Sequence, residues 1–230
     1  NVCFRYKRRN NYDFAADLMR TINSLAKSYD CSKIVLISDY KYSKYRRSLY
    51  PEYKQNRKAR YEKQSDEEKE QAAKFFEAYE QAVATIEEMF PLIRLEHVEA
   101  DDVAAYITTV HGDKFDNIWL ISSDSDWDLL LTEKVKRVSL VTRKEYNLDN
   151  FYEEHQCDDP EQYLSQKVLA GDAKDGVTGI TGLGPGRSYK YIREYGSAMD
   201  LLFSIPIPGK LKTIENINEI GPQVIMRNYE

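Results

Sequence analysis

Acidic side chains cluster at three points of the sequence, each directly after a short apolar run. The clusters are Asp39 after residues 34–38, then Glu99, Asp101 and Asp102 after 92–98, and Asp124, Asp126 and Asp128 after 118–123. The runs are typical of strands buried in a parallel sheet. Because ligands of open parallel sheets bind outside the carboxyl ends of the strands, we expect the three clusters to serve one ligand site.

The chemistry of these clusters favours a divalent metal ion. Carboxylates held close together raise one another's pKa unless a cation neutralises them. Ligation by oxygen alone suits Mg²⁺ or Mn²⁺ better than zinc. N-capping is the alternative, because each cluster also precedes a predicted helix, but three clusters at equivalent strand ends make it the weaker account. Asp172 and Asp175 form a further pair, and residues three apart in a helical turn could address one ion.

The net charge of −5 hides a strongly polarised chain. Residues 41–63 contain nine Lys or Arg against two Glu, a net charge of +7, which leaves −12 on the rest of the chain. A basic segment of this kind indicates a nucleic-acid backbone as partner. The tyrosines among these cations could stack on unpaired bases without reading sequence, or they could simply pack the helices of the segment.

A glycine-rich turn at residues 179–186 opens a predicted helix that carries Arg187, Lys190 and Arg193. The backbone N–H groups of such a turn, together with a helix N-terminus, favour a phosphate oxygen. Cations at three-residue spacing could line one face along a nucleic-acid backbone. A dinucleotide-binding turn is excluded because no predicted strand precedes the glycines; an ordinary loop is the remaining alternative.

Composition excludes several classes of protein. With 42% hydrophobic and 31% charged residues, the chain is neither a disordered polymer nor a membrane protein. No apolar run reaches the roughly 18 residues of a bilayer span, and no signal peptide opens the sequence. Cys3, Cys31 and Cys157 lack disulfide, redox or zinc spacing, so a reducing compartment is expected. Neither a Ser/His/Asp nor a Cys/His constellation is present, which disfavours an amino-acid nucleophile.

Strands and helices alternate through the first two thirds of the sequence. The pattern predicts strands at 33–38, 92–98, 117–122 and 138–142, and helices at 13–30 with Asp13 as cap, from Ser65 to about Met89, and at 100–110. This order favours an α/β fold with a mainly parallel sheet. We expect an α/β core at residues 1–147, which includes a basic insertion at 41–64, and a helical subdomain at 148–230.

Five motifs, in this order, resemble those of the flap endonuclease / 5′→3′ exonuclease family, particularly the 5′-nucleases of T-odd bacteriophages. They are Leu49–Arg57, Glu99–Asp102, Ser123–Asp128, Gly171–Asp175 and Gly179–Gly184. The resemblance extends over essentially all 230 residues. It implies a PIN/FEN-like α/β core, a helical arch at residues 41–64, and a helix–hairpin–helix element in the C-terminal subdomain. It further implies two divalent ions, Mg²⁺ or Mn²⁺, and hydrolysis of a phosphodiester near a free 5′ end.

The family's functional residues transfer to this sequence position by position. The resemblance implies a tighter metal site of Asp39, Glu99, Asp101 and Asp124, and a second site of Asp126, Asp172 and Asp175. Lys54 matches the arch lysine that reaches toward the scissile phosphate, and Arg57 matches the arginine one helical turn on. The DNA-binding candidates are Lys44, Arg46, Arg47, Tyr53, Lys167, Gly182, Gly184, Arg187 and Lys190. K⁺ at main-chain carbonyls of the hairpin is a further implication.

Members of the family begin with an apolar strand that ends in an aspartate, upstream of where this sequence opens. The expected function is therefore a structure-specific 5′-nuclease of phage replication, acting on 5′ flaps and 5′ ends of DNA. The alternative is a DNA-junction-binding fragment without full catalysis, because that first aspartate is absent. A PIN-type ribonuclease is disfavoured, since that fold alone would not need the hairpin region. A monomer without an organic cofactor, in the cytoplasm of an infected bacterial host, is expected.

Overall fold

The computed structural model describes residues 14–230, and the predicted cap Asp13 lies outside them. The chain divides into two compact units. The first, here called the core unit, contains residues 14–43, 59–127 and 134–145 of the described chain. The second, called the helical unit, contains residues 44–58, 128–133 and 146–230. The part of the basic arch segment from Lys44 to Lys58 therefore belongs to the helical unit, and the rest of it belongs to the core unit.

The helices and strands are numbered here in chain order within the described residues. The α-helices are α1 Ala15–Ser28, α2 Lys44–Leu49, α3 Gln55–Glu62, α4 Asp66–Glu87, α5 Ala100–His111, α6 Phe151–His155, α7 Pro160–Ala170, α8 Pro185–Tyr195, α9 Ala198–Phe203 and α10 Lys212–Tyr229. The strands are β1 Leu36–Ile37, β2 Leu92–Ile93, β3 Ile118–Ile121, β4 Val135–Ser139, β5 Lys144–Tyr146, β6 Gly171–Asp172 and β7 Val177–Thr178; short 3₁₀ helices span Gly112–Lys114 and Ser125–Leu130. Within residues 14–230, every helix is too short or too polar to cross a membrane.

The core unit contains parallel strand pairs, as the alternating sequence pattern predicted. Strand β1 pairs in parallel with β2, with Leu36 opposite Leu92. Strand β3 pairs in parallel with β4, with Ile118 opposite Val135. Strands β1 and β2 are much shorter than the apolar runs that predicted them, although Tyr40 and Glu96 add an isolated parallel bridge beyond their ends. The carboxyl ends of both pairs are therefore where the acidic clusters begin.

The predicted bounds of the fourth strand, 138–142, are wrong, because the strand covers Val135–Ser139. Two cations, Lys136 and Arg137, lie in its middle and break the apolar pattern. Arg137 is nevertheless only 2% exposed. Its guanidinium donates to the carbonyl oxygen of Ser122 at 2.9 Å. A buried hydrogen-bonded cation thus takes a strand position that composition alone assigns to a loop. Strands β5, β6 and β7 were also missed.

Helix α4 begins where the sequence predicted. The hydroxyl of Ser65 accepts the backbone N–H of Glu68, whose carboxylate accepts the N–H of Ser65 at 2.9 Å. This capping box satisfies two N–H groups that the first turn leaves unpaired. In the core unit the helix contributes Phe75 to a small cluster with Phe14, and the two ring centroids lie 5.9 Å apart.

The helical unit has its own hydrophobic core between helices α7 to α10. Leu169, Ile192, Leu201, Ile217 and Ile225 are all fully buried in it. Fully burying side chains of this size contributes about 1.5–3 kcal/mol each. The unit therefore has enough apolar burial to hold the loops at its surface in fixed positions.

Two glycines allow the β6–β7 ribbon to cross closely over the end of α7. Gly171 has a φ of +77°, a conformation that residues with a Cβ rarely adopt. A Cβ on Gly179 would lie 2.2 Å from the carbonyl carbon of Ala170. This crossing fixes the loop that carries Asp172 and Asp175.

Candidate metal and nucleic-acid sites

Asp39 and Glu99 lie where the first strand pair of the core unit meets helix α5. The carboxylate of Asp39 accepts the backbone N–H of Ala100 at 2.7 Å. Glu99 is the N-terminal cap residue of α5 and is only 6% exposed. Its own N–H donates to the carboxylate of Asp102 at 3.2 Å. The capping roles considered as an alternative are therefore real for Asp39 and Asp102, and they hold these carboxylates at the strand ends.

The third acidic cluster contacts the same helix through Trp127. The indole N–H of Trp127 donates to the carboxylate of Asp101, which lies in the first turn of α5. Asp124 follows β3 directly, and its Oδ1 accepts the N–H of Asp126 at 3.4 Å. The core unit thus connects the loop after β3 to the start of α5, and a ligand site shared by these carboxylates stays a prediction.

The core-unit carboxylates offer oxygen ligands, which are suited to a divalent metal ion. Among residues 14–230, no three Asp, Glu, His or Cys side chains stand at metal-binding distances from a common point. Two of these carboxylates accept N–H donors of the protein: Asp39 accepts from the backbone of Ala100, and Asp101 accepts from the indole of Trp127.

Both carboxylates of the predicted second pair lie in the helical unit and not in a helical turn as predicted: Asp172 ends β6, and Asp175 lies in the turn between β6 and β7. The Oδ1 atom of Asp172 accepts the N–H groups of Lys174 at 2.9 Å and of Asp175 at 3.3 Å. Its Oδ2 accepts the ammonium of Lys167 at 3.0 Å. Burial opposes ionisation of Asp172, but the charge and hydrogen bond of Lys167 and the two N–H groups outweigh it, so its pKa is lowered.

Three side chains of the arch segment approach the carboxylate of Asp175, all within the helical unit. The guanidinium of Arg57 donates to Oδ1 at 2.6 Å. The hydroxyl of Tyr53 donates to Oδ2 at 3.2 Å, and the Nζ atom of Lys54 lies 3.6 Å from the same oxygen. Sequence reasoning identified all four residues but not their contact, since more than 100 residues separate them in the chain.

Two of the predicted DNA-binding residues contact carboxylates of the protein itself. Tyr53 is 9% exposed and bonds Asp175, so its ring is not available to stack on bases in this conformation. Lys167 is paired with Asp172, with about a quarter of its side chain exposed. Lys44 in α2 is exposed and its neighbours Arg46 and Arg47 are half-buried; their contact with DNA stays a prediction.

The predicted glycine turn forms a tight hairpin at the start of α8. Gly182 has a φ of +90° and its carbonyl accepts the guanidinium of Arg187 at 3.0 Å. Gly184 caps α8, and Pro185 occupies its first turn. The side chains of Arg187 and Lys190 are exposed. The hairpin geometry is as expected, whereas its contact with DNA and the binding of K⁺ stay predictions.

A buried pair in the helical unit was not anticipated. Asp128, the last acidic residue of the third cluster, is fully buried and its Oδ2 lies 2.8 Å from Nε2 of His155. The imidazole packs against the ring of Tyr163 at a tilt of 33°, with centroids 4.1 Å apart. The short spacing of Asp124, Asp126 and Asp128 gave no sign that the third carboxylate is structural.

The core unit, with parallel strands that end in carboxylates, has a PIN-like nuclease fold, and the helical unit carries a glycine hairpin. The family described as "5′–3′ exonuclease, N-terminal resolvase-like domain" matches residues 5–157, and the chain belongs to this family of 5′-nucleases. It is 42% identical over 229 residues to the flap endonuclease of Escherichia phage T5, covering 99% of this chain and 78% of that protein.

Solved structures of the phage T5 enzyme agree closely with this fold. The T5 5′-exonuclease with bound divalent metal ions (zinc) matches with a TM-score of 0.94 at 42% identity, covering 100% of this chain and 84% of that one. A T5 D15 flap endonuclease in a pseudo-enzyme–product complex with DNA and metal ions matches with a TM-score of 0.95, at the same identity and coverage. The predicted family and fold class are thereby confirmed.

Proposed function

We propose that this nuclease hydrolyses phosphodiesters at 5′ flaps and 5′ ends of DNA with the help of two divalent ions, Mg²⁺ or Mn²⁺. The observation that carries the proposal is the placement of carboxylates at the carboxyl ends of the core-unit strands. Asp39, Glu99, Asp101 and Asp124 would hold one ion, and Asp172 and Asp175 would hold the other. The relatives from phage T5 that bind divalent ions and DNA support this assignment.

The chain's own residues supply binding and charge stabilisation. Two bound divalent ions supply a nucleophilic water at neutral pH and neutralise charge on the leaving oxygen. Lys54 and Arg57 would contact the scissile phosphate and stabilise the negative charge that develops on its oxygens. Arg187 and Lys190, both exposed on α8, would hold the duplex through its phosphates, which carry no sequence information. Recognition therefore depends on the structure of the DNA.

The proposal includes the setting in which the enzyme works. The sequence lacks a hydrolytic Ser or Cys constellation, which is consistent with a metal-activated water as the nucleophile. We propose that the reaction needs no organic cofactor. We propose a monomer that takes part in phage replication in the cytoplasm of an infected bacterial host. The similarity to a phage T5 enzyme supports this setting.

The test is cleavage of an end-labelled DNA duplex that carries a 5′ flap. Cleavage should require Mg²⁺ or Mn²⁺ and stop on addition of EDTA. Asp172→Asn should lower the rate more than about a hundredfold, and affinity for the flap in Ca²⁺ should persist, because affinity comes mainly from cations on phosphate. Asp149→Asn is the matched control, because Asp149 is exposed and lies outside the proposed sites.

The outcomes separate the nuclease from the second candidate function, a DNA-junction binder. Tight and specific binding of the flap without cleavage in either ion would favour the junction binder. If the protein neither binds nor cleaves the flap, both candidate functions are overturned. Cleavage that survives in Asp172→Asn would remove the helical-unit carboxylates from the mechanism.

A further inference from the structure

The arch segment is fastened to the loop that carries Asp175 by several independent contacts, here called the arch latch. Besides the donors to the Asp175 carboxylate, the amide of Asn56 donates to the carbonyl oxygens of Ala173 and Lys174, both at 3.1 Å. The backbone N–H of Lys54 donates to the carbonyl oxygen of Asp175 at 2.8 Å. All of these contacts lie within the helical unit.

The latch uses the same carboxylate that the proposed function assigns to a metal ion. Both oxygens of Asp175 accept protein donors, and its side chain is only 13% exposed. Each carboxylate oxygen has two lone pairs, so an ion that coordinates Asp175 would stand directly next to the donors already bound there. Arg57 and Lys54 would also be repelled by a divalent cation placed on the carboxylate they share. The ion and the two arch cations therefore compete for one site.

The charge that neutralises Asp175 is the same whether the arch cations or a divalent ion are bound to it. Arg57 and Lys54 bring two positive charges to within 4 Å of Asp175, and a divalent ion would bring the same charge in their place. The carboxylate is thus neutralised in either state, and the difference between the states rests on the geometry of the latch. Lys54 has a φ of +58°, a left-handed conformation unfavourable for a residue with a Cβ. The Lys54 N–H group therefore makes its latch contact from a strained backbone conformation.

We propose that the arch latch is a metal-responsive switch: a divalent ion at Asp172 and Asp175 displaces Lys54 and Arg57 and releases the arch. This inference rests on the proposed function, because it takes the second ion as given. Without the ion, the two catalytic cations are sequestered on Asp175. With the ion bound, they are free to engage a substrate phosphate. Coupling of this kind is reciprocal, so the closed latch weakens ion binding by the factor by which the ion favours opening.

The experiment uses the full chain with Mn²⁺ alone and no DNA. Free Mn²⁺ counted by electron paramagnetic resonance gives the number and affinity of sites, and hydrogen exchange read by mass spectrometry follows residues 50–62. We expect Mn²⁺ to accelerate exchange there at least about fivefold, the Lys54 amide included, since each net hydrogen bond lost is worth a factor of this order. In Asp172→Asn the acceleration should vanish, because that variant loses a ligand to the ion but no contact with the arch.

Asn56→Ala tests the reciprocal effect. This variant weakens the latch without touching a carboxylate or a cation, so Mn²⁺ should bind the second site about five- to tenfold more tightly. Gln55→Ala is the matched control, because its amide donates at 2.8 Å to the carbonyl of Pro51 within the arch segment itself. That control should leave the affinity unchanged. Tyr53→Phe, which removes only one hydroxyl from Asp175, should tighten binding in the same direction and covers the case in which Asn56→Ala folds poorly.

The experiment distinguishes failure of the proposed function from failure of the switch. If no Mn²⁺ site depends on Asp172, the second ion of the proposed function fails and the switch fails with it. If such a site exists but exchange at 50–62 is unchanged by Mn²⁺, the nuclease proposal stands and the switch is overturned. Equal Mn²⁺ affinity in the wild type, Asn56→Ala and Tyr53→Phe would overturn it as well.

Discussion

Replacing Lys54 by alanine is expected to slow the chemical step far more than it weakens DNA binding. In the free chain, Nζ of Lys54 lies 3.6 Å from Oδ2 of Asp175, a distance too long for a hydrogen bond. Arg57 and Tyr53 keep Asp175 paired when the lysine is removed. The free energy of unfolding should therefore change by less than about 1 kcal/mol.

The effect on catalysis should be much larger. A single charge-assisted donor to a developing oxyanion contributes on the order of 3 kcal/mol, or about a hundredfold in rate. Loss of one phosphate contact from the many that hold the DNA should lower affinity by less than about tenfold. Single-turnover cleavage in Mg²⁺ measures the first quantity, and binding of the same flap substrate in Ca²⁺ measures the second.

The matched control is Lys58→Ala, which removes the same charge one helical turn further along the exposed face of α3. It should lower affinity slightly and leave the single-turnover rate within about twofold of the wild type, because loss of one rim charge mainly affects encounter. A Lys54→Ala enzyme that binds much more weakly yet cleaves at the normal single-turnover rate would refute the reasoning. Lys54 would then hold the strand and take no part in stabilising the transition state.

Three further outcomes follow from the helical unit. Removing the side chains of Arg187 and Lys190 together should weaken duplex binding and lower the slope of log affinity against log salt by about 1.8; an unchanged slope would mean that the hairpin helix does not contact the duplex. Gly179→Ala should destabilise the fold by about 3 kcal/mol in urea unfolding, because its Cβ would lie 2.2 Å from a backbone carbon, whereas Gly186→Ala has open space and serves as control. Burial raises the pKa of Cys157 to about 11, so at pH 8 only about one thiol in a thousand is ionised; peptide mapping after iodoacetamide treatment should find it unmodified until urea unfolds the chain.

Local features of the fold were predictable because they depend on residues close in sequence. The capping box of Ser65 and Glu68 and the hairpin before α8 follow from spacing within a few residues. The shift of β4 was not predictable. Its buried Arg137 is acceptable only because the carbonyl of Ser122, directly after the neighbouring strand, accepts its guanidinium, and a pattern of apolar residues cannot contain that information.

The sequence by itself determined the chemistry: carboxylates at strand ends, a basic segment and a glycine turn, in an order typical of a 5′-nuclease. These are matters of residue type and short spacing, which the chain carries directly. Only the tertiary structure decided which donors the carboxylates take. Arg57 donates to Asp175, which lies on a loop that the close approach of Gly179 to Ala170 holds over the end of α7. Pairing across more than 100 residues depends on how helices pack, and packing is a property of the whole unit and not of any motif within it.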